Sequence, residues 1–157
     1  MDKTLPKIYL VQHGKTAWTI SEQHIGHTDI PLTIKGENDT QALNPTLRSL
    51  NFLKVFASPL QRARETAELL GYGESLEIDN NLMEWNYGDY EGRRTLDIRA
   101  ERPNWRLFED DCPNGEILEE IAGRADLIIS RIRLLISNVL VAQATIVVDG
   151  TAGIVEL

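Results

Sequence analysis

Short runs of aliphatic and β-branched residues alternate with stretches of helical composition along this chain. That alternation limits its fold more than any other feature. Residues 7–11 (KIYLV), 52–57 (FLKVFA), 76–78 and 145–148 (TIVV) read as strands. Between them, residues 33–50 are helical in composition, with Asn44-Pro45 expected to break or kink the helix. Ser58-Pro59 supplies a cap residue and a proline for the opening of a helix that should run to about Leu70 and stop at Gly71. Ile117, Ile121, Ala125, Ile128, Ile132, Leu135 and Val139 recur at steps of three and four, which predicts one long amphipathic helix. Residues 80–109 read as loop, with Trp85, Tyr87, Tyr90, Trp105 and Phe108 supplying bulk. Strands alternating with helices imply an α/β layer fold with a mainly parallel sheet. A length of 157 residues with no linker or repeat implies a single domain over 1–157.

Charge narrows the function classes. Sixteen Lys and Arg against 24 Asp and Glu give a net charge of −8, the opposite of the basic footprint that nucleic acid or an anionic membrane requires. A small phosphorylated molecule is compatible with it, because a few converging donors can focus positive potential inside a cleft. The most apolar stretch, 134–148, is interrupted by Ser137, Asn138, Gln143 and Thr145 and is too short to span a bilayer. Residues 1–11 do not read as a secretory signal, and the single Cys112 offers no intramolecular disulfide. The expectation is a cytoplasmic protein.

Three clusters could carry chemistry. Gln12-His13-Gly14 follows the first strand, and open α/β sheets bind ligands at the carboxyl ends of their strands. Ser58 to Thr66 (SPLQRARET) follows the second and opens a helix, where Arg62 could present a planar fork to phosphate. Glu84 lies among aromatic residues in MEWNYGDYEG, a setting that raises a carboxyl pKa and suits a general acid. Taken singly, each has a plainer reading: a hydrogen-bonded loop histidine, a solvated helix face, and a loop whose aromatic residues fill the core.

Taken together, the clusters resemble one family in order and spacing. LVQHGKTAW, GHTDIPLT (26–33) followed by Gly36, ASPLQRARETA, EWNYGDYEG and PNGE (113–116) are similar to successive motifs of the histidine phosphatase superfamily, the phosphoglycerate-mutase-like branch. The resemblance runs from Ile8 to about Gly150. It implies a three-layer α/β sandwich, a mainly parallel sheet flanked by helices, and phosphomonoester hydrolysis without metal or organic cofactor. In that chemistry His13 attacks phosphorus and becomes a phosphohistidine. Glu84 protonates the leaving oxygen and then activates water, while Arg62 neutralises the phosphoryl oxygens. Gly14, Thr16 and the Gly26-His27-Thr28 loop would line the mouth, with Gln12 and Asp149 beside the phosphate.

The sequence departs from the family pattern within that pocket. Gln12 stands where the family has Arg, Asp149 where it has a second His, His27 where it has a loop Arg, and Ile117 where it has Ser. Each charged hydrogen bond lost would cost roughly 1.5–3 kcal/mol, enough together to slow the reaction on the order of 10³-fold. Asp149 would also favour the protonated form of His13. The resemblance further implies that helix and strand follow where this sequence ends. Apolar surface near 128–148 would then be uncovered and favour loose packing or a homo-oligomer. Two readings stand: a weak phosphatase, or an inactive relative that keeps the fold for binding or regulation. A third places a divalent metal between His13, Glu84 and Asp149.

Overall fold

The structure, a computed structural model, describes residues 7–136, 143–148 and 155–156. Strand β1 (Lys7–Gln12) leads into the short helix α1 (Ala17–Ile20), followed by α2 (Ile34–Gln41), α3 (Asn44–Leu47) and β2 (Lys54–Ala57). Helix α4 (Gln61–Leu69), β3 (Leu76–Ile78), α5 (Thr95–Glu101), α6 (Leu118–Ile136), β4 (Gln143–Val148) and β5 (Val155–Glu156) complete the order. The sheet runs β3-β2-β4-β1-β5, with every neighbouring pair parallel except β5, which pairs antiparallel with β1 at Tyr9 and Leu10. This is the mainly parallel α/β sheet that the alternation predicts.

Strand alternation sends β1 side chains to two different layers. Val11 packs with Ala57 of β2, Ala63, Ala67 and Leu70 around α4, and Leu47 of α3. Ile8 and Leu10 point the other way, toward Phe56, Leu82 and the α6 residues Ile128 and Ile132. Helices therefore cover both faces, giving the three-layer sandwich. Arg131 ties α6 to the outer strand: it reaches Glu77 and the buried Asp79, and its guanidinium lies 4.8 Å from the Phe56 ring centroid. A third core gathers Trp85, Tyr87, Tyr90, Ile98, Trp105 and Cys112 beside the sheet. It organises the segment that the sequence leaves as loop.

Three boundaries differ from the sequence reading. The 33–50 stretch breaks at Ala42 and Leu43, and Pro45 then occupies the first turn of α3, where a missing N–H costs nothing. Ser58 does not cap α4; Leu60 holds that position without a side-chain bond, while the Ser58 hydroxyl accepts from the Leu60 N–H. Residues 80–109 contain α5, which the aromatic spacing hides because Ile98 is its only buried residue. Helix α4 does end at Gly71, where φ is +88°. Among the described residues, no helix is long and apolar enough to cross a membrane.

Candidate active site

Strand β1 delivers Gln12 and then His13 at the carboxyl edge of the sheet, with Gln12 in register with Val148 of β4. The turn after it is built from backbone-to-backbone contact. A Cβ on Gly14 would sit 2.6 Å from Thr40 Oγ1 and 2.7 Å from the Gly36 carbonyl, and a Cβ on Gly36 would meet the Lys15 carbonyl at 2.2 Å. Only glycine permits that approach. The Gly14 N–H donates to Thr66 Oγ1 (3.0 Å), and the Thr66 hydroxyl donates to the Arg62 carbonyl (2.7 Å), so the turn is tied to α4.

His13 lies against the Gly14 carbonyl, 2.7 Å from its Nδ1. A carbonyl only accepts, so Nδ1 carries the proton and Nε2 the lone pair. Burial pushes the His13 pKa down, the Arg62 charge adds to the effect, the Gly14 bond opposes it, and the result is about 4. The described surroundings thus favour a neutral imidazole. Asp149, expected to favour the protonated form, lies outside the described residues. His13 lines two adjoining cavities of about 380 and 440 Å³, sharing both with Gln12 and Lys15; Asp39 faces the first, Glu22 and Lys35 the second.

Arg62 on α4 lies close enough for its charge to act on His13. It is fully buried and donates through Nη1 to the Thr28 carbonyl (2.9 Å) and through Nη2 to the Gly26 carbonyl (2.8 Å). The amide side of the same loop meets Glu91, whose carboxylate accepts from the N–H groups of Gly26, His27 and Thr28. Gly26 has no room for a side chain, since a Cβ would lie 2.0 Å from the Trp85 carbonyl. This close approach joins the 26–28 loop to the segment carrying Glu84.

Glu84 itself accepts the following N–H of Trp85 at Oε1 (2.8 Å) and lines a separate, mostly apolar cavity of about 360 Å³ under α6, with Ile8, Leu10 and Ile128. Its backbone is held by Arg124 of α6, which donates to the carbonyls of Met83 (2.6 Å) and Glu84 (3.4 Å). Arg124 also forks onto Glu116 through Nε and Nη2, both at 2.9 Å. Burial alone would raise the Glu116 carboxyl; the Arg124 fork and the Asn86 N–H outweigh it and hold it below the usual carboxylate range. On its other side Glu116 faces His27, with Nε2 3.8 Å from Oε2, too long for a hydrogen bond.

The structure thus brings His13 together with Gln12 and Gly14, sets Arg62 with Gly26 and Thr28 within electrostatic reach of it, turns His27 toward Glu116, and leaves Glu84 on the separate cavity under α6. Thr16 is a correction. It is fully buried and its hydroxyl accepts from the Thr19 N–H as the cap of α1, so it does not line the mouth; Thr19 does. Glu91, Glu116, Arg124 and Lys15 escaped the sequence reading as site residues. Glu91 and Glu116 lie inside motifs it quoted, but nothing local signals bonds that span 63 or more residues between Glu91 and the 26–28 loop. Among the described residues, no group of three or more metal-ligating side chains gathers.

The model of the histidine phosphatase superfamily (branch 1) matches residues 8–145. A sedoheptulose 1,7-bisphosphatase of Saccharomyces cerevisiae is 36% identical over 161 residues, covering 85% of this chain and 58% of the relative. An acid phosphatase of Mycobacterium tuberculosis is 35% identical over 122 residues, covering 76% and 60%. The chain thus spans about three fifths of the length of these curated relatives. Among solved structures, the product of a Mycobacterium tuberculosis open reading frame superposes with a TM-score of 0.82 at 31% identity, covering 92% of this chain and 74% of that one. A Thermus thermophilus protein gives 0.74 at 32%, covering 92% and 78%. With its sheet, its His13 turn and this extent of similarity, the chain belongs to the histidine phosphatase superfamily (branch 1).

Proposed function

We propose that this chain cleaves phosphomonoesters of small metabolites through a phosphohistidine on His13. The observation that carries the proposal is the state of that imidazole: buried, held neutral, with its Nδ1 proton on the Gly14 carbonyl and its lone pair at Nε2. In the first step the Nε2–P bond forms and the P–O bond to the leaving alcohol breaks. Arg62 stabilises the equatorial oxygens as charge builds, and Glu84, whose carboxyl must swing from the separate cavity under α6 to reach the ester, gives the departing oxygen its proton. In the second step water attacks phosphorus, Glu84 takes the water's proton, and His13 is released. Gln12, Gly14 and the 26–28 loop bound the phosphoryl site, and no metal or organic cofactor enters either step. The matched relatives named as phosphatases support this reaction class.

A second reading, a non-catalytic binder of phosphate esters, is favoured by Gln12, a neutral amide at the end of β1 where the resemblance calls for a guanidinium. One experiment separates the two. Purified protein is incubated with para-nitrophenyl phosphate, and an acid-labile phosphoprotein is trapped by rapid quench at neutral pH. Hydrolysis and a trapped phosphohistidine, both falling at least 10³-fold in His13→Ala, are expected. Turnover that survives His13→Ala would remove the mechanism. Binding of the ester without hydrolysis would select the second reading.

A further inference from the structure

The carboxylate of Glu91 has no part in the reaction above, yet it accepts five hydrogen bonds beside the site. Oε2 takes the N–H of Gly26 (3.0 Å), the N–H of Thr28 (3.4 Å) and the Thr28 hydroxyl (2.8 Å). Oε1 takes the N–H of His27 (3.0 Å) and of Tyr87 (3.2 Å). Three successive amides of one loop thus point at a single anion, while two carbonyls of the same loop point at the guanidinium of Arg62. A segment held on both edges cannot rotate without breaking charged bonds, which are about twice as strong as neutral ones. The Tyr87 bond adds the segment that begins at Glu84 to the same anchor.

We infer that Glu91 is a positioning residue for phosphoryl recognition: through residues 26–28 it sets the orientation in which Arg62 meets the phosphoryl oxygens. The inference rests on the phosphoryl-transfer reading above. Its consequence has a diagnostic sign. Glu91 is a negative charge near an anion site, so a purely electrostatic role means that neutralising it tightens anion binding. A positioning role means that neutralising it weakens binding, because an amide at position 91 presents N–H donors to the loop's N–H groups.

Titration calorimetry of the full chain with inorganic phosphate and with orthovanadate, which mimics the pentacoordinate transition state, reads that sign. Glu91→Gln is expected to weaken orthovanadate at least ~10-fold and phosphate by ~3-fold, since a fixed guanidinium matters most where charge is greatest. Glu91→Asp, which keeps the charge but retracts it by one methylene, should recover part of the loss. Thr28→Ala deletes only the hydroxyl bond and should weaken orthovanadate by ~2- to 3-fold; it decides the matter if Glu91→Gln does not fold. Unchanged or tighter orthovanadate binding in Glu91→Gln would overturn the inference. So would equal losses for the two anions, or parental affinity in Thr28→Ala when the Gln variant fails to fold. If the parent protein binds neither anion, the phosphoryl-transfer reading fails and the inference falls with it; parental binding unaltered by Glu91→Gln sinks the inference alone.

Discussion

Positive charge is held in two different ways near His13. Arg62 is buried without measurable exposure and fixed by the Gly26 and Thr28 carbonyls, themselves anchored to Glu91. Lys15 and Lys35, by contrast, approach Asp39 at 3.8 and 3.2 Å with side chains 53% and 62% exposed. A desolvated, oriented guanidinium stabilises developing charge without reorganising. Exposed ammonium groups are screened by water and salt, and their pairs contribute typically under about 1 kcal/mol. Formal charge is thus a poor guide to this site. One buried arginine outweighs two surface lysines.

The sharpest way to break that contrast is to remove Arg62. Arg62→Ala should lower kcat/KM for para-nitrophenyl phosphate about 10³-fold and also destabilise the fold, because the Gly26 and Thr28 carbonyls lose their donor, at about 1–3 kcal/mol for each group left buried and unsatisfied. A loss below tenfold would mean that Arg62 is a structural strut and not the phosphoryl clamp.

A second test concerns the burial of His13 near Arg62. Its folded pKa of about 4 lies below the ordinary value of 6.5, so the unfolded chain binds more protons between these limits. The contribution is fully present above pH 6.5 and disappears as the pH falls toward 4. It amounts to about 3 kcal/mol, from 1.36 kcal/mol per unit. Chemical denaturation of the parent and of His13→Asn at pH 7 and pH 4.5 should show a steeper decline in the parent. Equal slopes would mean that the imidazole is more solvated than the geometry indicates.

The smallest effect belongs to the exposed lysines. Lys15→Ala combined with Lys35→Ala should reduce kcat/KM by no more than about threefold at 0.15 M salt, with the difference shrinking as salt rises. A tenfold loss that persists in high salt would make the lysines part of the clamp and erase the contrast.

These differences also explain what the sequence disclosed. The strand-helix alternation is readable because burial imposes it residue by residue: Ile8 and Leu10 to one layer, Val11 to the other. His13 and Arg62 stand out in the sequence as candidates because each follows a strand end, where α/β sheets place their ligands. Helix α5 was not legible, since its apolar stripe is nearly reduced to Ile98. Nor was the Glu91 anchor, which joins positions more than sixty residues apart through backbone amides that carry no residue identity. Thr16 misled for the opposite reason. A hydroxyl beside the His13 turn suggests a phosphate contact, yet it serves as the cap of α1.

The backbone contact between the His13 turn and α2 has a genetic consequence. Gly14 and Gly36 contribute no functional group, but any side chain at either would overlap a neighbouring carbonyl closer than 3 Å. In a saturation-mutagenesis screen scored on activity, both positions should tolerate as few replacements as His13 does. A statistical reading of such a screen would rank two chemically silent residues with His13. Only a parallel screen scored on abundance would tell them apart, with the glycine variants depleted in both and the His13 variants depleted in one.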